Sequence, residues 1–389
     1  MSSVHRPGRG VMVSATVATA ITLATPSVAL ADSHGGDNGH RVLSVSQVNL
    51  VSDLSTVGAK VVDPDLKNPW GLALSPTSPL WSANNGTSTS TLYASPAGST
   101  SAALVGAVRV TVPAPTGQVF NGTTGFKLSP NGVPSPARFI FSTLTGQIAA
   151  WSPVVDPLKG ATEIKATVPG AVYTGLALAS VKTGPRLFAA NFAQGRIDVF
   201  NSMFAMVSVP HGRFVDPHLP AGYSPFGIAT LQGDLFVAYA KVDPVTHRNA
   251  VGVGLGFVDR YAPDGTFINR VASRATLNAP WGMEIAPPSW GSIAGDLLVG
   301  NFGDGRINVI RSEHMGTRFT GDFAGQLRDS ATGKLLQIPG LWALLRGTDP
   351  VPATATTPAS AGTGGADSIW FSAGINNERD GLLGVLRKP

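Results

Sequence analysis

Six times along the chain, a turn ending in a small residue opens a short apolar strand. A second apolar strand follows and ends in a polar or small residue. The unit is clearest at Asn68-Pro69-Trp70-Gly71 with Leu80–Asn84, and at Ala279-Pro280-Trp281-Gly282 with Leu297–Asn301. It recurs around Gly125, Gly175 and Gly227, and in degenerate form at Leu341-Trp342-Ala343. The starts at Gly71, Gly125, Gly175, Gly227, Gly282 and Ala343 lie 54, 50, 52, 55 and 61 residues apart. That period holds four strands of four to six residues and no long helical repeat, which argues against βαβ units. Four-stranded sheets repeated radially make a β-propeller. The fold expected is therefore all-β: one six-bladed β-propeller with four-stranded blades, spanning 42–389. Blade six lacks a final strand. The alternating run Val42–Val48 is expected to supply it and close the ring, which removes an exposed sheet edge.

Composition agrees. Gly 46 and Pro 30 among 389 residues give many turns, and charged residues make up only 13%, against roughly 25% in an average soluble chain. There is no Cys, which excludes disulfides, thiol nucleophiles and cysteine-ligated metals. Arg6 and Arg9 precede an apolar run from Val11 to Ala24, and Ala29-Leu30-Ala31 is an A-x-A site. Residues 1–31 are therefore expected to be a secretory signal peptide, with 32–41 a flexible polar leader and the chain extracellular. Past Ala31, 26 basic and 23 acidic residues remain. They form no like-charged run, so nucleic acid is not an expected partner. The end at Pro389 carries no apolar tail, and no stable membrane anchor is expected.

These units resemble NHL-type and SMP-30-like propellers. More specifically, Asn49–Asp53, Asn68–Gly71, Gly195–Phe200, Pro225–Gly227, Leu277–Gly282, Leu298–Gly305 and Gly340–Leu344 are similar to a family of secreted, uncharacterised bacterial propeller proteins. Some members of that family carry a PEP-CTERM sorting tail, which this chain lacks. The resemblance implies a propeller and export, and it implies no reaction.

Propeller geometry places the strand-entry turns and the second-strand ends on one rim. Asn84, Asn191 and Asn301, with Tyr239 at the equivalent position and Asp304 nearby, then either present a ring of polar groups to a ligand or cap their own turns. Trp70 and Trp281, with Phe226 and Trp342, either stack on a ligand or pack between blades. Strand alternation puts Ala73, Lys127, Ala177, Ala229, Glu284 and Leu345 into the channel. Lys127 and Glu284 would face each other there, as a ligand handle or as a structural ion pair.

Catalytic patterns are weak. Asp304, Glu378 and Asp380, with Glu284 deeper, are the acids available for a carboxylate pair. No H-E-x-x-H is present, and none of His34, His40, His211, His218, His247 and His314 falls on a rim position. Gly252–Gly256 lacks the strand-to-helix context of a nucleotide loop. The expected function is a binding module whose loop-rich channel face holds a small molecule, a glycan or a protein. The alternative is a metal-dependent hydrolase or lactonase of the SMP-30-like type. Its ion, calcium being the most plausible, would sit in the channel on Glu284, Asn191 and Asn301. No cofactor is otherwise implied.

Overall fold

The computed structural model describes residues 43–105, 109–130, 132–153, 160–313, 318–354, 360 and 362–389. The expected signal peptide and the whole leader lie outside these residues, as do Val42 and His314. The described chain is a six-bladed β-propeller. The inner strands are Pro69–Ala73, Pro115–Phe120, Tyr173–Val181, Tyr223–Leu231, Pro280–Ile285 and Leu341–Arg346. Each pairs antiparallel with the next strand outward in its blade.

Ser44–Ser52 closes the ring. It pairs antiparallel with the third strand of blade six, Leu382–Arg387, in a register that runs from Ser46↔Arg387 to Ser52↔Leu382. The expected closing strand is therefore present, and it runs on to Ser52. Inside it, Ser52 Oγ donates to the Gly381 carbonyl at 2.6 Å.

Blade two corrects the sequence reading. Its inner strand is Pro115–Phe120, not the stretch around Gly125. Asn121-Gly122-Thr123-Thr124-Gly125-Phe126 imitates the repeat but folds as a turn. There the Asn121 side chain accepts from the Thr123 amide at 3.0 Å, and Phe126 is held at φ 56°. Lys127 therefore sits on a small side hairpin, Lys127–Leu128 against Ser135–Pro136. It is exposed there and does not enter the channel.

All six inner strands are bulged against their partners at the same place, around the small residue of the repeat. A bulge adds a residue and re-aims a side chain. Before it, Asn68, Ala114, Ala279 and Gly340 all take positive φ, from 39° to 69°. Glycine is required at the bulge because adjacent inner strands nearly touch. A Cβ on Gly71 would lie 2.5 Å from the Thr116 carbonyl oxygen, and one on Gly227 would overlap the Trp281 carbonyl. Blade six carries Ala343 instead. There Ser372 Oγ is inserted as a spacer, accepting from the Ala343 amide at 3.0 Å and donating to the Trp70 carbonyl at 2.5 Å.

Past the bulge, successive side chains face the two neighbouring blades. Leu176 packs with Ile140 and Ile148 of blade two, while Ala177 packs with Phe188 and Ile228 toward blade four. Apart from Lys127, the expected channel positions Ala73, Ala177, Ala229, Glu284 and Leu345 do line the central channel. So do their neighbours Leu72, Leu176, Ile228, Met283 and Leu344, so strand alternation does not separate channel from blade. Sheet faces in a propeller stack on one another, and the channel meets strand edges. Each large apolar side chain removed from water between blades contributes about 1.5–3 kcal/mol.

Candidate functional site

The bulge aims an aromatic residue at the propeller axis in four blades: Trp70, Phe226, Trp281 and Trp342. Phe192 and Phe302, each following a second strand, join them. Trp70 stacks on Trp342 with ring centroids 3.6 Å apart, and Phe302 stacks on Trp342 at 4.1 Å. Trp281 meets both Trp70 (6.2 Å) and Trp342 (5.7 Å) edge to face. Several contacts join blades that are not neighbours: Trp70 of blade one with Trp281 of blade five, and Phe226 of blade four with Trp342 of blade six at 5.8 Å. Trp281 Nε1 also donates to the Thr174 carbonyl of blade three at 2.9 Å. Such contacts are made only over the axis, so the aromatic cluster fills the channel at the rim where the inner strands begin. Trp70, Trp281, Trp342, Phe226 and Phe192 are all buried. Trp70 and Trp281 form this plug and do not offer an open stacking platform.

Below the plug the channel is a cavity of about 290 Å³ lined by all six inner strands. Its walls run from the glycine bulges toward the strands' C-terminal ends, where Thr230 is exposed. The wall is mostly Leu, Ile, Ala, Val and Phe, with Gln118 and Thr230 as polar additions. Glu284 is the one charged side chain among the described residues lining it. The Glu284 carboxylate accepts backbone N–H from Ile285 at 2.8 Å and from Arg346 at 3.0 Å. Burial pushes its carboxyl above the ordinary value, and the two amide donors pull in the opposite direction. With Lys127 elsewhere, the expected Lys127–Glu284 pair does not exist.

The rim polar groups turn inward into their blades. Asn84 is fully buried, and its Nδ2 donates to Thr91 Oγ1 at 2.8 Å. Asn191 Nδ2 donates to Asp198 at 2.7 Å and to Gln194 at 2.9 Å. Asn301 Nδ2 donates to the Thr276 carbonyl at 2.8 Å and to Asp304 at 3.0 Å. Asp304 also accepts from the Arg306 amide at 3.2 Å, so it caps its own turn. The Tyr239 hydroxyl is buried 2.8 Å from that of Tyr261, and burial raises it well above the usual range. These positions tie second strands to third strands and form no ligand ring. The channel-ion expectation put Asn191 and Asn301 beside Glu284, but Glu284 lines the central cavity and neither Asn does. Among the described residues no group of three or more His, Cys, Asp or Glu is arranged to hold a metal.

The remaining rim acids have partners. Glu378 accepts from Asn68 Nδ2 at 3.1 Å and from Arg248 at 2.8 Å. Asp380 lies 3.6 Å from Lys67. Asn68 Oδ1 in turn accepts from Trp342 Nε1 at 2.9 Å. A chain of polar contacts thus runs from exposed Arg248 to the buried plug, with Asn376, Asn377 and Glu378 all at positive φ. Neither Glu378 nor Arg248 carried a sequence signal for this role, because their partners are remote in the chain.

Two uncharacterised proteins of Acanthamoeba polyphaga mimivirus are each 32% identical to this chain, over 359 and 361 residues. Each match covers 90% of this chain and 82% or 87% of the viral protein. The chain belongs to their family. These relatives are viral, where the sequence resemblance pointed to bacterial propellers. No family model matches. Among solved structures, virginiamycin B lyase from Staphylococcus aureus aligns over 89% of this chain and 99% of its own, at 13% identity and a TM-score of 0.46. A putative gluconolactonase aligns over 71% of this chain and 94% of its own, at 16% identity and a TM-score of 0.39. No activity passes to this family from likenesses at that level. Among the described residues no helix is long and apolar enough to cross a membrane.

Proposed function

We propose that this chain is an exported binding module that holds a small, largely apolar molecule in the blind central cavity, with a cationic or hydrogen-bond-donating group against Glu284. One observation carries the reading: the aromatic plug turns a through-channel into an apolar pocket of about 290 Å³ with a single carboxylate in its wall. A concave apolar site with few polar groups is the usual form of a small-molecule site. The ligand would enter from the face opposite the plugged rim. Export rests on the basic start, apolar run and A-x-A site of residues 1–31.

The test uses hexylammonium and neutral hexan-1-ol as probes, read by thermal unfolding and titration calorimetry. Hexylammonium is expected to raise the midpoint and to bind more tightly than hexan-1-ol. Glu284→Gln should abolish that preference, and Thr230→Trp at the exposed end of the cavity should abolish binding of both. Absence of any binding, or binding unchanged by both substitutions, would overturn the proposal.

A further inference from the structure

A second and larger cavity, about 590 Å³, opens between blades three and four, away from the axis. The fourth strand of blade three is only Met206–Val207, and the cavity lies beside it, with Val207 and Ser208 in its lining. Phe188 and Val199 form its buried floor, and Val207 and Phe214 its sides. Phe214 is held at φ 54° with its amide donating to the Gly265 carbonyl at 2.8 Å. Its ring packs against Phe188 and Tyr261, each at 5.7 Å between centroids.

The mouth has a definite charge. Lys182 and Arg186 line it, and Asp264 is the one carboxylate among the lining residues. Asp264 accepts from the Thr266 amide at 2.9 Å and hydroxyl at 2.7 Å, pairs with Arg213 at 3.4 Å and also feels the Lys182 charge, so one carboxylate is shared among these cations while Arg186 is left over. The Arg186 guanidinium donates only to neutral oxygens, the Pro185 carbonyl at 3.2 Å and Thr183 Oγ1 at 2.9 Å. Its charge is therefore uncompensated by those bonds. An apolar trough that ends in excess positive charge is complementary to a molecule with a hydrocarbon body and an anionic end.

We propose that this groove binds a single-chain anionic amphiphile, its hydrocarbon tail on Phe188, Val199, Val207 and Phe214 and its carboxylate between Lys182 and Arg186. The site is separate from the central cavity and shares no lining residue with it.

Decanoate is the probe, titrated calorimetrically into the whole chain, with decan-1-ol and decyltrimethylammonium as head-group controls. One decanoate per chain is expected, bound more tightly than either control. The double variant Lys182→Ala/Arg186→Ala should raise the decanoate Kd by about tenfold or more, the loss of about 1.4 kcal/mol, and leave decan-1-ol unchanged. Ser208→Trp, at an exposed lining position, should block decanoate. Thr230→Trp, which acts on the central cavity, should not. No binding of decanoate, or binding indifferent to Ser208→Trp, would overturn the proposal. So would loss of binding in Thr230→Trp, or a dimer that Ser208→Trp dissolves, since a second copy would then be the occupant.

Discussion

Trp281 reaches from blade five past blade four to donate its indole N–H to the Thr174 carbonyl of blade three, 2.9 Å away. A bond of that reach ties the inner strands together across the axis, and it is made from the bulge that also fixes Gly282 against blade six.

Removing an aromatic from this cluster should therefore weaken the whole ring. Trp342→Ala is expected to cost about 3–5 kcal/mol, read as a lower urea midpoint with an unchanged slope. Trp281→Phe keeps an aromatic side chain but leaves the buried Thr174 carbonyl without its donor and should cost about 1–3 kcal/mol. Equal losses for the two would mean that stacking contributes little.

The glycines at the bulges should respond according to their clearance. In Gly227→Ala the new methyl would overlap the Trp281 carbonyl, whereas in Gly175→Ala the nearest atom is the Ile228 amide nitrogen at 3.2 Å. Overpacking of about 1–3 kcal/mol is expected for Gly227→Ala and distinctly less for Gly175→Ala. Thermal unfolding of the two variants side by side checks the order.

Burial raises the Glu284 carboxyl above its ordinary value of 4.5. The folded state then holds this proton at pH values where the unfolded chain has lost it. Its contribution to stability is greatest below 4.5 and declines as pH rises through the window up to the raised value. Stability measured against pH should thus fall less steeply above 4.5 in Glu284→Gln than in the parent chain. Parallel curves would show that this carboxyl titrates normally.

Deleting the closing strand Ser44–Ser52 exposes the edge of Leu382–Arg387. Unpaired edges recruit other chains. The truncated protein should elute as oligomers in size-exclusion chromatography, while the intact ring does not aggregate through that edge.

The blade count and ring closure were legible because Pro-Trp-Gly and its variants mark strand starts that physics repeats: a bulge, an axial aromatic, a glycine under a neighbouring backbone. Blade two was not, because Thr116 replaces the aromatic and Asn121–Phe126 supplies a counterfeit turn. The channel residues were only half legible. A two-residue period separates two faces of a strand, but it does not say whether a face meets solvent, channel or another blade. Glu284 was found for the right location and the wrong partner. Asn84, Asn191 and Asn301 were singled out correctly as recurrent, yet their burial follows from third-strand partners such as Thr91 and Asp198, which a single-strand reading does not weigh. The plug's bulge aromatics Trp70, Phe226, Trp281 and Trp342 stood out as packing candidates, but that they meet across the axis was not legible, because those contacts join non-adjacent blades.

Ser52 and Gly381 are hydrogen-bonded although 329 positions apart in the chain. During synthesis Ser44–Ser52 can meet Val61–Val62 early, but its long antiparallel partner Leu382–Arg387 comes only with the last strand. Contacts so distant in sequence make closure a late and slow event. The circular integrity of the molecule therefore depends on the pairing of its two most distant strands.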